Sequence, residues 1–289
     1  MTGVLLRAER VSRRFGAFTA VQDVTMRLGP GEVVGLLGAN GAGKTTLIRM
    51  LLGLIATSEG EVELLGGEPD REHRRRLGYV PQGLGLYGDL TVTENLTFTA
   101  QAYDADEPEL PQALRQVAGR LVAELPLGLQ RQVAFLSALA HDPEVLVLDE
   151  PTSGVDALAR AALWDTIHEH AEKGVGVLVT THDMREAEQC DRLLLMSASR
   201  LVAQGSEADI IGSTTAVAVR CSDWARAFAV LNKSGQPVML AGRDVRVADA
   251  DAGQVRAVLA DAGVSADVVA VPATIEERMM VLARAPEEP

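Results

Sequence analysis

Cysteine is almost absent: Cys190 and Cys221 are the only two in 289 residues, far apart and outside any C-x-x-C spacing. A disulfide framework or a cysteine zinc site is thereby excluded, and a reducing cytoplasm fits best. Aromatic residues make up only 3%. A core must then be built from Leu, Val, Ile and Ala, which is the composition of buried parallel strands. Positive charge is in deficit, with 27 Lys and Arg against 40 Asp and Glu and a formal net charge of -13. Without a basic face, nucleic acid is not an expected partner. No run approaches 18 apolar residues, and Met1-Thr-Gly-Val-Leu-Leu-Arg7 meets a charge before a leader's apolar segment can form. A membrane-spanning part is therefore expected on another chain. Tandem repeats are also lacking.

The composition that remains, 47% hydrophobic and 23% charged, is that of a folded protein, long enough for a main domain and a smaller second one. Val4 to Val11 and Phe18 to Leu28 alternate as antiparallel strands, and Gly29-Pro30-Gly31 makes a turn. Short apolar runs at Glu32 to Leu37, Arg76 to Val80, Val145 to Asp149, Gly176 to Thr181 and Arg192 to Met196 read as buried strands separated by helical patterns. That order predicts a mostly parallel sheet with right-handed crossovers. The expected architecture is α/β over residues 1–211, with a helical subdomain inserted at about 83–140 and interrupted by Pro108, Pro111 and Pro126. Residues 212–289 read as a small α+β domain without a catalytic cluster. Arg71 and Arg74 to Arg76 form the only basic run, expected on a solvated helix face.

Gly38-Ala-Asn-Gly-Ala-Gly-Lys-Thr45 follows one buried run and opens a helix, the order of strand, loop and helix that a phosphate-binding loop requires. Gly38, Asn40, Gly41, Ala42 and Gly43 let backbone N–H groups curl around phosphates, and the helix N-terminus adds its partial positive charge. Lys44 supplies a point charge, Thr45 offers Mg²⁺ a hydroxyl, and Thr46 continues the first turn. Asp149 and Glu150 stand at the exit of a second apolar strand, where parallel sheets place their ligand crevice. Asp149 is the metal-holding candidate and Glu150 the base that polarises an attacking water.

With these motifs in place, residues 4 to 211 resemble the ATP-binding subunit of an ABC transporter: a P-loop ATPase core with N-terminal antiparallel strands and a helical subdomain. The resemblance implies ATP and Mg²⁺ as cofactors and further roles by position. Phe15 in Arg-Arg-Phe-Gly matches the adenine-stacking aromatic. Gln82 in Gly-Tyr-Val-Pro-Gln matches the glutamine that reaches Mg²⁺ and the attacking water and touches the membrane partner. Asp156 in Pro-Thr-Ser-Gly-Val-Asp belongs to the loop that crosses to the opposite subunit, and His182 in Thr-Thr-His-Asp matches the histidine that contacts the γ-phosphate.

One motif departs from the family. Where its members carry Leu-Ser-Gly-Gly-Gln or a close variant, this chain has Leu125-Pro-Leu-Gly-Leu129. Pro126 has neither hydroxyl nor N–H, and Leu127 adds bulk where glycine admits a phosphate; Gly128 and the following helix N-terminus survive. The stretch from Gln82 to Leu125 is also shorter than the family's usual subdomain.

The resemblance implies dimerisation with a second ATP-binding subunit, like or unlike, and separate transmembrane permease subunits at the cytoplasmic face of the cell membrane. Pro272-Ala-Thr-Ile-Glu-Glu-Arg resembles the tail of the drug-exporter branch, which implies export of a hydrophobic compound or antibiotic. Two alternatives stay open: a regulatory subunit that uses ATP as dimer glue, and a soluble ATPase of the same superfamily outside transport.

Overall fold

The computed structural model describes residues 3–284, so the ends of the two expected domains, 1–2 and 285–289, lie outside the described residues. Two compact units divide between Leu201 and Val202. In chain order the first holds β1 (Leu6–Phe15), β2 (Phe18–Leu28), β3 (Val33–Leu37), α1 (Lys44–Leu51), β4 (Glu59–Leu64), α2 (Arg71–Arg74), β5 (Leu77–Val80), α3 (Val92–Tyr103), α4 (Gln112–Arg115), a 3-10 turn (Val122–Glu124), α5 (Leu127–Leu139), β6 (Val145–Asp149), α6 (Ala157–Glu172), β7 (Gly176–Thr181), α7 (Met184–Ala187) and β8 (Arg192–Ser197). β9 (Arg200–Gly205) carries the chain across the division.

β1 pairs antiparallel with β2 as expected, from Leu6↔Leu28 to Phe15↔Phe18, and with β4 on its other edge. β4 escapes sequence reading because Glu-Gly-Glu-Val-Glu-Leu resembles a solvated loop. It holds the edge with carboxylates turned outward, two of them paired across strands as Arg14–Glu59 (3.0 Å) and Arg7–Glu63 (3.6 Å). Such exposed pairs contribute little energy but keep the edge soluble.

The parallel sheet runs β5-β6-β7-β3-β8. Its strands read as continuous apolar runs because both faces are covered: every residue of β3, β6 and β7 is buried. Leu47, Ile48 and Leu51 of α1 pack on Val34, Leu36, Val145 and Val147. On the opposite face, Ala134 and Phe135 of α5 and Leu163 and Trp164 of α6 pack on Leu146, Leu148, Val177 and Val179. The other side of α5 contributes Val133 to a satellite core with Val92, Leu96, Leu114 and Val122. That helix is thus held from two sides. Within the insertion, α3 starts at a capping box in which the Thr91 hydroxyl accepts from the Glu94 N–H, and Glu94 accepts from the Thr91 N–H. Of the basic run, Arg76 is exposed and forms a two-pronged surface pair with Glu144, at 2.6 and 2.7 Å.

The second unit holds α8 (Glu207–Ile211), β10 (Thr215–Arg220), α9 (Trp224–Lys233), β11 (Val238–Ala241), β12 (Asp244–Ala248), α10 (Ala252–Asp261), β13 (Asp267–Pro272) and α11 (Ile275–Arg284). Its antiparallel sheet is ordered β11-β12-β10-β13, the βαββαβ arrangement, over a core of Val217, Val219, Val245 and Val247 with Leu231 and Leu259. The sequence reading places the boundary after Ile211, but α8 packs on α11 and so belongs to the second unit. Arg246 grips the fully buried Glu277 of α11 at 2.7 and 2.9 Å.

Candidate phosphate-binding site

The loop between β3 and α1 is shaped by three glycines in the left-handed half of backbone space: Gly38 (φ 153°), Gly41 (φ 82°) and Gly43 (φ 102°). Two of them are also sterically obligatory. A Cβ on Gly38 would lie 2.4 Å from the Met196 carbonyl oxygen, and one on Gly43 2.4 Å from that of Ala20. Gly41 faces open space, where an incoming group meets only backbone. Ala42 is buried and anchors the loop to the core.

Lys44 is only 6% exposed, and its ammonium donates to the carbonyl oxygens of Gly38 (2.7 Å) and Ala39 (3.2 Å). The loop is wrapped around its own lysine. Burial lowers the Lys44 pKa, while the charges of Glu150 and Asp149 oppose that shift. A poorly solvated cation under a ring of amide donors is arranged to receive an anion.

From Thr45 a chain of hydrogen bonds crosses to the sheet. The Thr45 hydroxyl donates to Asp149 Oδ2 (3.1 Å), and the Thr180 hydroxyl donates to Asp149 Oδ1 (2.7 Å). Thr180 Oγ1 also accepts from the Glu150 N–H (2.8 Å), and the Gln82 amide donates to Glu150 Oε2 (3.3 Å). Glu150 takes a left-handed backbone (φ 53°), and its carboxylate meets different partners from that of its neighbour Asp149. His182 Nδ1 lies 3.6 Å from Glu150 Oε1 on a ring that is 58% exposed. Two adjacent carboxylates are thereby sorted: one locked between hydroxyls, the other facing an open cleft between an amide and an imidazole.

The cleft has a volume of about 340 Å³ and is lined by Phe18, Ala20, Asn40, Gly41, Gly43, Lys44, Thr45, Thr46, Gln82 and Glu150. Phe18, which the sequence analysis does not single out, is among the lining residues. Phe15 lies outside that lining, beneath the Arg13 guanidinium at 4.6 Å, whereas Phe18 stands on the cleft wall, 64% exposed. The two are directly paired across the β1–β2 hairpin and so share one face of the sheet, and Phe18 is the one that lines the cleft. As the N-cap of α6 the Asp156 carboxylate accepts from the Leu158 and Ala159 N–H groups, both at 3.0 Å.

Gly128 lies in the first turn of α5, where a Cβ would meet open space. Pro126 is the N-cap there and gives no side-chain cap. Leu127 packs toward the loop after Glu150, where a Cβ on Gly154 would come within 2.9 Å of its Cδ2. Thr180 and Arg131 are site residues that the sequence reading does not single out as partners of the carboxylates. Thr180 had a findable signal, since the parallel register places it opposite Asp149.

The residues present fit a divalent cation of the hard, oxygen-preferring kind: the Thr45 hydroxyl and the Asp149 carboxylate converge beside Lys44 without any nitrogen or sulfur donor. No helix among the described residues is long and apolar enough to cross a membrane.

Residues 21–153 match the family described as ABC transporter. The chain is 40% identical over 218 residues to the probable multidrug ABC transporter ATP-binding protein YbhF of Escherichia coli, covering 71% of this chain and 38% of that protein. It therefore spans about two fifths of that relative's length. It is 39% identical over 227 residues to Nod factor export ATP-binding protein I of Paraburkholderia xenovorans, covering 74% of each. Among solved structures, an ATP-binding subunit of an ABC transporter superposes with a TM-score of 0.67 at 33% identity, covering 72% of this chain and 92% of that one. An ATP-binding cassette of an ABC transporter in its ADP conformation gives 0.58 at 25% identity, covering 71% and 92%.

Proposed function

Because the chain belongs to the ATP-binding proteins of ABC transporters, we propose that it hydrolyses ATP to drive export of a hydrophobic compound through separate membrane subunits. The observation that carries this reading is the unbroken line of hydrogen bonds from Thr45 through Asp149 and Thr180 to Glu150 and Gln82. It joins the phosphate loop to a carboxylate poised over the same cleft. The loop amides and Lys44 bind the phosphates, and Phe18 offers the base an aromatic face. Glu150, steadied by Gln82, takes the proton of the attacking water, and His182 stands beside it to support charge on the γ-phosphate. Thr45 and Asp149 would hold Mg²⁺, which when bound supplies positive charge at the phosphates. Export, rather than import, is supported by the names of the relatives, one a multidrug and one a Nod factor export protein.

The same reading places two such subunits face to face, each α5 N-terminus aimed at the other's nucleotide. Pro126 and Leu127 leave that element without hydroxyl or flexible amide, so the site it serves is the weaker one. An unlike partner with an intact motif would then complete the competent site around Lys44, Glu150 and His182. Cytoplasmic attachment through the permease follows.

The test is transport. Inside-out vesicles holding this chain and its membrane subunits should accumulate a lipophilic dye only with ATP, and Lys44→Ala should abolish the uptake. Uptake that persists with Lys44→Ala contradicts the proposal.

A further inference from the structure

Arg131 lies on α5 and is 7% exposed, yet it contacts the hydrolytic turn: its Nη1 donates to the Glu150 carbonyl oxygen at 2.8 Å. The opposite side of the same residue is held as well, by the Glu150 N–H on Thr180 Oγ1. Both backbone polar groups of Glu150 are therefore taken. This matters because φ at Glu150 is 53°, a conformation that a glutamate does not adopt unless its surroundings impose it. Released from the clamp, the residue relaxes toward ordinary backbone and its carboxylate leaves the cleft.

Arg131 is a poor device for stability alone. Its guanidinium is desolvated, and its Nε has no hydrogen-bond partner among the described residues. A cation buried with an unmet donor is retained at an energetic disadvantage relative to an apolar side chain of similar length. Its contact is with the Glu150 carbonyl, which also accepts from the Ser153 N–H at 3.4 Å. Leu127 on the same helix packs against Gly154 in the same loop, so α5 and the turn after β6 make two independent contacts.

We infer that Arg131 is a positioning residue: through the Glu150 carbonyl it fixes the turn that aims the hydrolytic carboxylate, and it ties that turn to the helix beginning at Pro126. This rests on the reading of Glu150 as the base. A change at the start of α5 can thus reach this chain's own cleft through buried Arg131 as well as through Leu127.

The test uses the full chain assembled with its membrane subunits, with Mg·ATP as the probe. Arg131→Met, Arg131→Lys and Glu150→Gln are compared with wild type by steady-state kinetics, equilibrium ATP binding and thermal melting. Arg131→Met should lower kcat about tenfold or more while the Kd for ATP stays within about threefold, the signature of an interaction that matters in the transition state. Added to Glu150→Gln it should cost nothing further, because the carboxylate it aims is gone. Arg131→Lys, which keeps a donor and a charge but not the planar fork, should recover part of the rate. The inference is overturned by a kcat within twofold of wild type, by an equal loss of ATP affinity, or by a loss that multiplies that of Glu150→Gln. It is likewise overturned if Arg131→Met, Arg131→Lys and Arg131→Gln all fail to fold, since Arg131 is then structural. If Glu150→Gln alone leaves hydrolysis intact, the parent reading fails whatever Arg131 does.

Discussion

Thr180 Oγ1 donates to Asp149 Oδ1 at 2.7 Å from a position with no exposure to solvent. The same oxygen receives the Glu150 N–H at 2.8 Å, so one hydroxyl holds both acidic residues of the site. Thr180→Val keeps the shape and removes both bonds, leaving a carboxylate oxygen and an N–H unmet in the interior. The expected loss is about 1 to 3 kcal/mol of unfolding free energy, with a fall in ATPase larger than the loss in ATP affinity. Chemical denaturation of the nucleotide-free protein measures the first, and Thr180→Ser should lose less.

Lys44 makes its hydrogen bonds within the loop it serves, to Gly38 and Ala39. Lys44→Met should weaken ATP binding about tenfold to a hundredfold, the worth of a charge-assisted contact. Because burial already lowers the lysine's pKa, removing the charge should leave the nucleotide-free melting temperature nearly unchanged or raise it. Calorimetric titration and melting on one sample separate the two effects.

Asp183 caps α7, accepting from the Arg185 N–H, and its carboxylate also meets the guanidinium groups of Arg185 and Arg160. The Arg185 side-chain hydrogen bond is the main cause that brings its pKa from 3.8 down to about 2, against the effect of burial. A carboxylate with a depressed folded pKa contributes stability that is complete above 3.8 and disappears as pH falls toward 2. Asp183→Asn should therefore cost about 1 to 2 kcal/mol at neutral pH. The gap to wild type should close as the pH of urea melts is lowered from 4 to 2.

Pro126→Ser combined with Leu127→Gly restores a hydroxyl and an open backbone at the start of α5. A charge-assisted hydrogen bond made in the transition state corresponds to about a hundredfold in rate. Turnover of the assembled transporter should rise tenfold or more. Unchanged turnover would show that the helix N-terminus and Gly128 suffice.

Much of this was legible in the sequence, and the gaps have physical causes. Buried parallel strands such as β3, β6 and β7 announce themselves because both faces are covered, and the loop from Gly38 to Thr45 because few other patterns suit phosphate. β4 does not, since an edge strand carries Glu59, Glu61 and Glu63 outward. Phe15 and Phe18 share one face of a hairpin, and spacing alone does not fix which of them lines the cleft. The helix α11 left a signal: Thr274 and Glu277 form a capping box, with the Thr274 N–H on Glu277 Oε2 at 2.8 Å. Arg131 left none, because its role lies in a contact with a carbonyl remote in sequence.

The most direct measurement is ATP hydrolysis by the complete complex with Glu150→Gln. That substitution keeps the shape and the reach of Gln82 but removes the group that accepts the water's proton. ATP should still bind with near wild-type affinity while turnover falls by about a hundredfold or more, the usual worth of a positioned base. Turnover equal to wild type would contradict the assignment of Glu150 and the line of hydrogen bonds on which it rests.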